Sequence, residues 1–196
     1  MIDVKNKKCN SVWCDTRINN NKYEGYCLYC YIHLYPNKSI SRNYKTKEYA
    51  VVTFIKNKFN TLNWINDKRI HNGTSYRRPD LLLDLEYQVI IIEIDENQHL
   101  EYTTICDNKR TMEISRDVNH RPIIFIRFNP DSYINKYGVK VSSCWGINKM
   151  GISCIKKNKI LEWDNRLQEL KKQINYYINP LNKIEKTIEN IHLFYN

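Results

Sequence analysis

The segment that decides the fold is Val89-Ile90-Ile91-Ile92-Glu93-Ile94-Asp95-Glu96-Asn97-Gln98-His99, in which an apolar, β-branched run meets a charged group. Such a run is typical of a central strand covered on both faces. Because side chains alternate along a strand, we expect Glu93 and Asp95 on the same face, at the strand's C-terminal end. Open α/β sheets place their sites at that end. The segment therefore predicts an α/β protein with an acidic site at one end of its sheet.

The flanking sequence predicts the rest of this core. The candidate elements are, in chain order, a helix over 46–59, strands over 81–84 and 89–94, a helix over 106–118, a strand over 123–128 and a helix over 161–178. Pro180 interrupts the helical pattern, and a last helix is expected to run through Phe194. We therefore expect a cysteine-rich module (1–45), a core (46–130), and a basic loop region with C-terminal helices that pack on the core (131–196).

A third carboxylate, Asp80, begins the strand that precedes the apolar run. If the two strands pair through a turn at 86–88, Asp80 lies beside Glu93 and Asp95. Two or three convergent carboxylates form a hard oxygen site suited to Mg²⁺ or Mn²⁺, and His99 has a side chain able to relay a proton at neutral pH. The alternatives are strand-end carboxylates that face water and an ordinary loop histidine.

The charge distribution also singles out this segment. The whole chain has 31 basic and 21 acidic residues, a net charge of +10. Residues 80–120 carry 10 acidic and 3 basic residues (−7), whereas residues 1–79 sum to +10 and residues 121–159 to +7. The basic arms predict a polyanionic partner, with nucleic acid favoured over an anionic membrane, and clustered carboxylates beside a polyanion indicate metal cations between them. A solvated helix face is the alternative explanation of the acidic block.

Membrane and secreted classes are excluded by the apolar pattern. The longest strongly apolar run, 89–92, is far shorter than the about 20 residues of a membrane span. Residues 1–9 are mixed and charged, unlike a signal peptide. We therefore expect an intracellular protein, cytoplasmic or nuclear, whose seven cysteines serve as thiols or metal ligands rather than as disulfides.

Four of those cysteines occur as two close pairs. Cys9 and Cys14 are followed, twelve residues later, by Cys27 and Cys30. This spacing predicts a structural zinc site, with His33 as an alternative to one thiolate. Free thiols are the other interpretation. The module has little apolar core of its own, so the metal would supply its folding energy.

The ordered motifs Arg77-Arg78-Pro79-Asp80, Glu93-Ile94-Asp95, His99, Asp107/Arg110 and Phe125-Ile126-Arg127-Phe128-Asn129 resemble the PD-(D/E)xK nuclease superfamily over roughly 46–175. Asp95 stands where many members have lysine. That exchange, with His99 close behind, is similar to the branch of very-short-patch-repair (Vsr-like) and EDxHD homing endonucleases. The closest likeness is to a group of giant-virus endonuclease-like proteins, and the opening of the chain resembles a cysteine-rich repeat of algal and giant viruses.

This resemblance implies a restriction-endonuclease-like αβββαβ core with a mixed sheet, metal-dependent phosphodiester hydrolysis and a carboxylate on the first helix. Glu48 is the candidate for that carboxylate, although a glutamate in a first helical turn also favours the helix dipole. The resemblance makes Arg110 and Arg127 phosphate ligands or site organisers. A plain surface ion pair between Asp107 and Arg110 is the alternative for that helix.

We therefore predict a Mg²⁺- or Mn²⁺-dependent DNA endonuclease with a structural zinc module, acting on double-stranded DNA. Asp80, Glu93, Asp95 and His99 are its predicted catalytic residues, with Glu48 as a further one. Nucleic-acid contacts are expected from Arg77 and Arg78, which flank Asp80, and from Lys156 and Lys157, unless these lysines belong to a solvated loop. A homing-type or repair-type nicking role follows from the resemblance alone.

Two other classes remain open from the sequence. One is a non-catalytic, zinc-dependent nucleic-acid-binding protein whose acidic block is structural, and the other is an RNA-directed nuclease on the same core. A monomer and a homodimer are both compatible with the sequence.

Overall fold

A computed structural model describes residues 7–12, 14–18, 23–38, 45–99, 104–148 and 152–196; the side chains of residues 97, 99 and 104–106 also lie outside the description. Contacts divide the chain into two compact units. Met1–Thr46 and Ile147–Cys154 form the first, and Lys47–Gly146 and Ile155–Asn196 form the second. Among the described helices, none has the length and apolarity needed to cross a membrane.

The described residues form an α/β protein with four α-helices and a five-stranded mixed sheet. The helices are α1 (Leu28–Leu34), α2 (Thr46–Lys58), α3 (Thr104–Asp117) and α4 (Ile160–Ile178). The strands are β1 (Lys7–Lys8), β2 (Arg17–Ile18), β3 (Trp64–Asn66), β4 (Leu81–Asp84), β5 (Val89–Ile94), β6 (Ile123–Phe128), β7 (Tyr133–Ile134), β8 (Lys140–Val141), β9 (Trp145–Ile147), β10 (Ser153–Ile155) and β11 (Ile188–Leu193). Short 3₁₀ helices cover Glu96–His99, Lys157–Lys159 and Pro180–Asn182.

The five-stranded sheet has the order β11-β6-β5-β4-β3. β3, β4 and β5 pair antiparallel, whereas β5, β6 and β11 pair parallel. The chain turns between β4 and β5 through Leu85–Gln88, where Glu86 adopts a φ of 64°. From α2 to β6 the order of elements is helix, three strands, helix, strand. The sequence pattern predicts β4 and β5 of these three strands, whereas β3 is an addition.

β5 lies at the centre of this sheet, and all six of its residues are buried. Ile90, Ile92 and Ile94 pack in the larger core, together with residues of α2 and α4. Val89 and Ile91 pack in the smaller core, which includes residues of α3. The alternation therefore places α2 and α4 on one face of the sheet and α3 on the other, and it gives Glu93 and Asp95 the α3 face.

The prediction of a last helix through Phe194 is wrong, because Ile188–Leu193 forms strand β11. Its six residues pair in parallel register with β6, from Ile188 beside Ile123 to Leu193 beside Phe128. The spacing of apolar residues suits a helix, but the edge of β6 offers backbone partners that only a strand can use. Of the two predicted C-terminal helices, the one over 161–178 is present as α4. The region predicted as a basic loop contains the antiparallel pair β7–β8 and the pair β9–β10.

Candidate functional site

Asp80 and Glu93 lie opposite each other on adjacent strands. The β4–β5 register pairs Leu81 with Ile92, and one step further along the two strands brings Asp80 beside Glu93. The Oδ2 atom of Asp80 accepts a 2.7 Å hydrogen bond from the backbone N–H of Ile94. The pairing of β4 with β5 thus places the carboxylates of Asp80 and Glu93 at the same end of the sheet.

Glu93 is buried, with 7% of its surface exposed, and it contacts α3. Its Oε1 atom lies 2.6 Å from the Nη2 atom of Arg110. Burial raises the pKa of Glu93 to about 7; Arg110 opposes that rise, and the negative charges of Asp80 and Asp95 add to it. A carboxyl group in this position changes its charge near neutral pH and stabilises any cation bound beside it.

Asp95 is still more buried, at 1% exposure, and follows the last residue of β5. Its Oδ2 atom accepts hydrogen bonds of 2.5 Å from Arg127 Nε and of 2.5 Å from the hydroxyl of Tyr195. Arg127 also donates from Nη1 to Asp107 Oδ2 of α3 at 2.9 Å. Burial alone would lower the pKa of Arg127, but Asp95 and Asp107 outweigh it and raise that pKa above its ordinary value.

The two helix residues that the sequence offered as a surface ion pair thus have partners on the sheet. Asp107 binds Arg127, and Arg110 binds Glu93 and the backbone oxygen of Arg78, the latter at 3.3 Å. Both arginines therefore organise the acidic residues. This corresponds to one of the two roles that the resemblance offered, the other being phosphate binding.

Sequence reasoning missed Tyr195 and His192, which reach this site from β11 and the residues after it. The ring of His192 lies edge-on against that of Tyr195, with centroids 4.9 Å apart. His192 is the register partner of Arg127, and burial and the charge of Arg127 lower its pKa. No spacing signal could have found these residues, because Tyr195 is 100 positions from Asp95 and His192 lies in a segment predicted as helix.

Lys47, in the first turn of α2, was also missed. Its Nζ atom lies 2.7 Å from Asp131 Oδ1 and 3.2 Å from Glu96 Oε2. Glu96 follows Asp95 directly and begins the 3₁₀ helix that ends at His99. The lysine thus places a positive charge beside the turn that leaves the acidic site.

The contacts given above do not include two of the predicted catalytic residues, Glu48 and His99. Glu48 lies in the first turn of α2, and the buried residues of that helix belong to the core on the face opposite Glu93 and Asp95. The backbone of His99 ends the 3₁₀ helix after Asp95, but its side chain lies outside the described residues.

The residues predicted to contact nucleic acid differ in the hydrogen bonds and ion pairs that they form within the protein. Arg77 Nε lies 2.5 Å from Glu113 Oε2, and Arg78 donates to the backbone oxygen of Asp67. Lys156 Nζ donates to the backbone oxygen of Ser143 at 3.0 Å. Lys157 is exposed at the start of a 3₁₀ helix.

The four cysteines of the first unit come together. The Sγ atoms of Cys9, Cys14, Cys27 and Cys30 all lie within 4.8 Å of one another, and those of Cys14 and Cys27 are 3.7 Å apart. Zn–S bonds of about 2.3 Å in a tetrahedron place sulfur atoms about 3.8 Å apart. The cluster thus fits a metal ion such as zinc, and Cys30 belongs to it, whereas the ring of His33 packs edge-on against Tyr29.

Local hydrogen bonds orient these thiols. The N–H of Cys27 donates to Cys9 Sγ at 3.1 Å, and the N–H of Cys30 donates to Cys27 Sγ at 3.4 Å. A hydrogen bond with Thr16 lowers the pKa of Cys14 to about 6, whereas burial raises that of Cys30 to about 12. A bound cation would lower the pKa of Cys30 again, since metal ligation favours the thiolate.

The acidic residues are arranged differently from the thiols. Within the parts of the chain that the structure describes, the four cysteines are the one group of three or more potential ligands at mutual distances below 4.8 Å. Asp80, Glu93 and Asp95 are instead each held by a donor, namely a backbone amide, Arg110, and Arg127 with Tyr195. Carboxylate oxygens are ligands of the type that Mg²⁺ and Mn²⁺ prefer. Burial is the main cause of the raised Glu93 pKa, and the charges of Asp80 and Asp95 add to it.

Comparison of the chain with protein-family models, with curated proteins and with solved structures found no match.

Proposed function

We propose that this protein is a metal-dependent endonuclease that hydrolyses DNA phosphodiester bonds on a PD-(D/E)xK, restriction-endonuclease-like core. The observation that carries the proposal is the juxtaposition of three carboxylates from two strands. Asp80 lies opposite Glu93, and Asp95 follows on the same face, next to Arg110 and Arg127. The order of helix, three strands, helix and strand supports the same core.

The residues divide the chemistry between them. Asp80, Glu93 and Asp95 would hold Mg²⁺ or Mn²⁺, which, when bound, supplies positive charge to the scissile phosphate and makes water more acidic. Without a cation the pKa of Glu93 is raised to about 7, chiefly by burial, and a bound divalent cation would favour the ionised carboxylate. His99, whose backbone follows Asp95 by four positions, is the proposed relay for the proton of the attacking water.

Binding of double-stranded DNA is assigned to the basic segments on either side of the acidic block. The charge of +10 over residues 1–79 and of +7 over residues 121–159 favours a phosphate backbone. The cysteine cluster supplies a folded module through zinc, and its neighbouring lysines add to this positive charge.

A second candidate is a non-catalytic, zinc-dependent nucleic-acid-binding protein. It is favoured by the same contacts that hold the acidic residues, because Glu93 and Asp95 already have arginine partners that neutralise them. In that case the acidic block is a structural network that joins β5, β6 and α3.

Nicking of supercoiled plasmid separates these functions. Cleavage is expected with Mg²⁺ or Mn²⁺ and not without either; the cation should be omitted rather than chelated, because a chelator would also remove zinc. Asp95→Asn and Glu93→Gln should each lower the rate by at least about 100-fold. Asp84→Asn is the matched control, since Asp84 lies at the opposite end of β4 and pairs with Arg121.

Two outcomes would contradict the proposal. One is Mg²⁺-dependent cleavage that persists in both acidic variants, which would show that Glu93 and Asp95 are not the catalytic residues. The other is tight DNA binding by the wild-type protein with no cleavage of DNA under any divalent cation, which supports the binding protein. A parallel assay with RNA identifies an RNA-directed nuclease.

A further inference from the structure

The hydroxyl of Tyr195 reaches the acidic site from the segment that follows β11, outside the predicted core (46–130). It donates a 2.5 Å hydrogen bond to Asp95 Oδ2, the oxygen that also accepts from Arg127 Nε. Asp95 is 1% exposed, so its orientation depends on protein groups rather than on solvent. Two donors on one oxygen, one from β6 and one from the residues after β11, hold the plane of this carboxylate.

The backbone after β11 directs Tyr195 towards Asp95. Phe194 adopts a φ of 65°, in the left-handed region that non-glycine residues seldom occupy. Its backbone oxygen accepts a 2.7 Å hydrogen bond from Asn129 Nδ2, and its ring packs edge-on against Phe128 and Tyr133. These contacts stabilise the turn and fix the direction in which the next residue leaves it.

The neighbouring Asn196 binds the turn that follows Asp95. Its N–H donates to Gln98 Oε1 at 3.1 Å, and its Oδ1 accepts from Gln98 Nε2 at 3.0 Å. Asn196 Oδ1 also accepts a 2.7 Å hydrogen bond from the N–H of Ile134. Residues 195–196 therefore contact both the carboxylate of Asp95 and the 3₁₀ helix that ends at His99.

We propose that Tyr195 is a positioning residue that holds the carboxylate of Asp95 in the orientation needed to bind the divalent cation. This inference rests on the proposed function. A phenol is suited to the task because its hydroxyl donates a hydrogen bond to Asp95 Oδ2. Outer partners of metal-binding carboxylates commonly change metal affinity or activity by about 10-fold to 100-fold when removed.

The test compares Tyr195→Phe with Tyr87→Phe. Tyr87 is a matched control, because its hydroxyl also makes one short hydrogen bond, at 2.6 Å, but to the backbone oxygen of Ile178. Mn²⁺ binding is measured from the electron paramagnetic resonance signal of the free ion, on zinc-loaded protein whose fold is checked by circular dichroism. Plasmid nicking is measured on the same samples.

Tyr195→Phe is expected to weaken Mn²⁺ binding and to lower kcat by about 10-fold each, with the KM for DNA unchanged. Tyr87→Phe should match the wild type in both measurements. If the wild-type protein binds Mn²⁺ and cleaves, and Tyr195→Phe does the same with equal affinity, the positioning role is wrong and the nuclease stands. If the wild-type protein neither binds Mn²⁺ nor cleaves, the proposed function fails and the positioning role with it.

Discussion

Arg110 joins the carboxylate of Glu93 to the segment before β4: its Nη2 atom lies 2.6 Å from Glu93 Oε1 and 3.3 Å from the backbone oxygen of Arg78. The ion pair is formed where Glu93 is almost fully buried, and burial still dominates, so that the Glu93 pKa is about 7 rather than 4.5. The carboxylate is thus stabilised incompletely by its partner, which leaves it responsive to protons and to divalent cations.

This raised pKa predicts a pH-dependent stability. Because the folded protein holds the Glu93 proton more tightly than the unfolded chain, the contribution of Glu93 to stability is full below about pH 4.5 and is lost as pH rises through about 7. The whole change is about 3 kcal/mol. We expect Glu93→Gln to remove it, so that the variant gains in free energy of unfolding relative to the wild type between pH 5 and 8.

Urea unfolding at several pH values measures this difference, on protein that keeps its zinc and receives no Mg²⁺ or Mn²⁺. Glu86→Gln is the control, since Glu86 is exposed in the β4–β5 turn. Curves for the wild type and Glu93→Gln that stay parallel from pH 5 to 8 would contradict the assignment of the titration to Glu93.

The buried pair of Asp95 with Arg127 should be far more sensitive to mutation than an exposed pair. Arg127→Met leaves the carboxylate of Asp95, 1% exposed, without its arginine, and a cost of about 3–5 kcal/mol in unfolding free energy is expected. Arg121→Met is the matched variant, because Arg121 binds Asp84 with two contacts of 2.6 and 2.7 Å at side-chain exposures of 33% and 44%.

Breaking that exposed pair should cost about 1 kcal/mol or less. Thermal or urea unfolding of the two variants measures both values under the same conditions. Equal losses for the two variants would show that Asp95 does not depend on Arg127 for its charge.

The sequence predicted the part of the fold that depends on local patterns. The β-branched run at Val89–Ile94 forms a buried central strand, and the expected hairpin brings Asp80 beside Glu93. Strand β11 could not be predicted, because Ile188, Ile191 and His192 have spacing that also suits a helix, and only the free edge of β6 selects the strand.

In the acidic site, too, the sequence predicts what depends on local patterns and not what depends on packing between elements. Glu93 and Asp95 are placed by alternation along one strand, which the sequence displays directly. The partners of these residues come from elsewhere: Arg110 and Asp107 from α3, and Tyr195 from beyond β11. Such pairings depend on how elements pack, and the local spacing of Asp107 and Arg110 indicated a pair with each other.

The cysteine cluster predicts which ligand completes the proposed zinc site. Cys30→Ser should abolish zinc binding and unfold the first unit, because four thiolates surround the site and its sulfur lies within 4.8 Å of the other three. His33→Gln should retain about one zinc per chain, the content of a single four-ligand site.

Zinc is measured by atomic emission on protein purified without a metal-binding tag, and folding by circular dichroism. Cys154→Ser is the control, since Cys154 lies outside the cluster. Zinc loss in His33→Gln together with retention in Cys30→Ser would exchange the two assignments.

Basic side chains that already form ion pairs within the protein should contribute less to DNA binding than exposed ones. Arg77 is held by Glu113 at 2.5 Å, whereas Lys157 is exposed and lies in the basic segment 121–159. A free lysine that neutralises a phosphate releases about one counterion, so Lys157→Gln should reduce the slope of log affinity against log salt by about 1. Arg77→Gln should change the slope less, because its charge is already neutralised by Glu113. Fluorescence anisotropy with one duplex at several salt concentrations measures both slopes, and a larger change for Arg77→Gln would mean that DNA displaces Glu113 from this arginine.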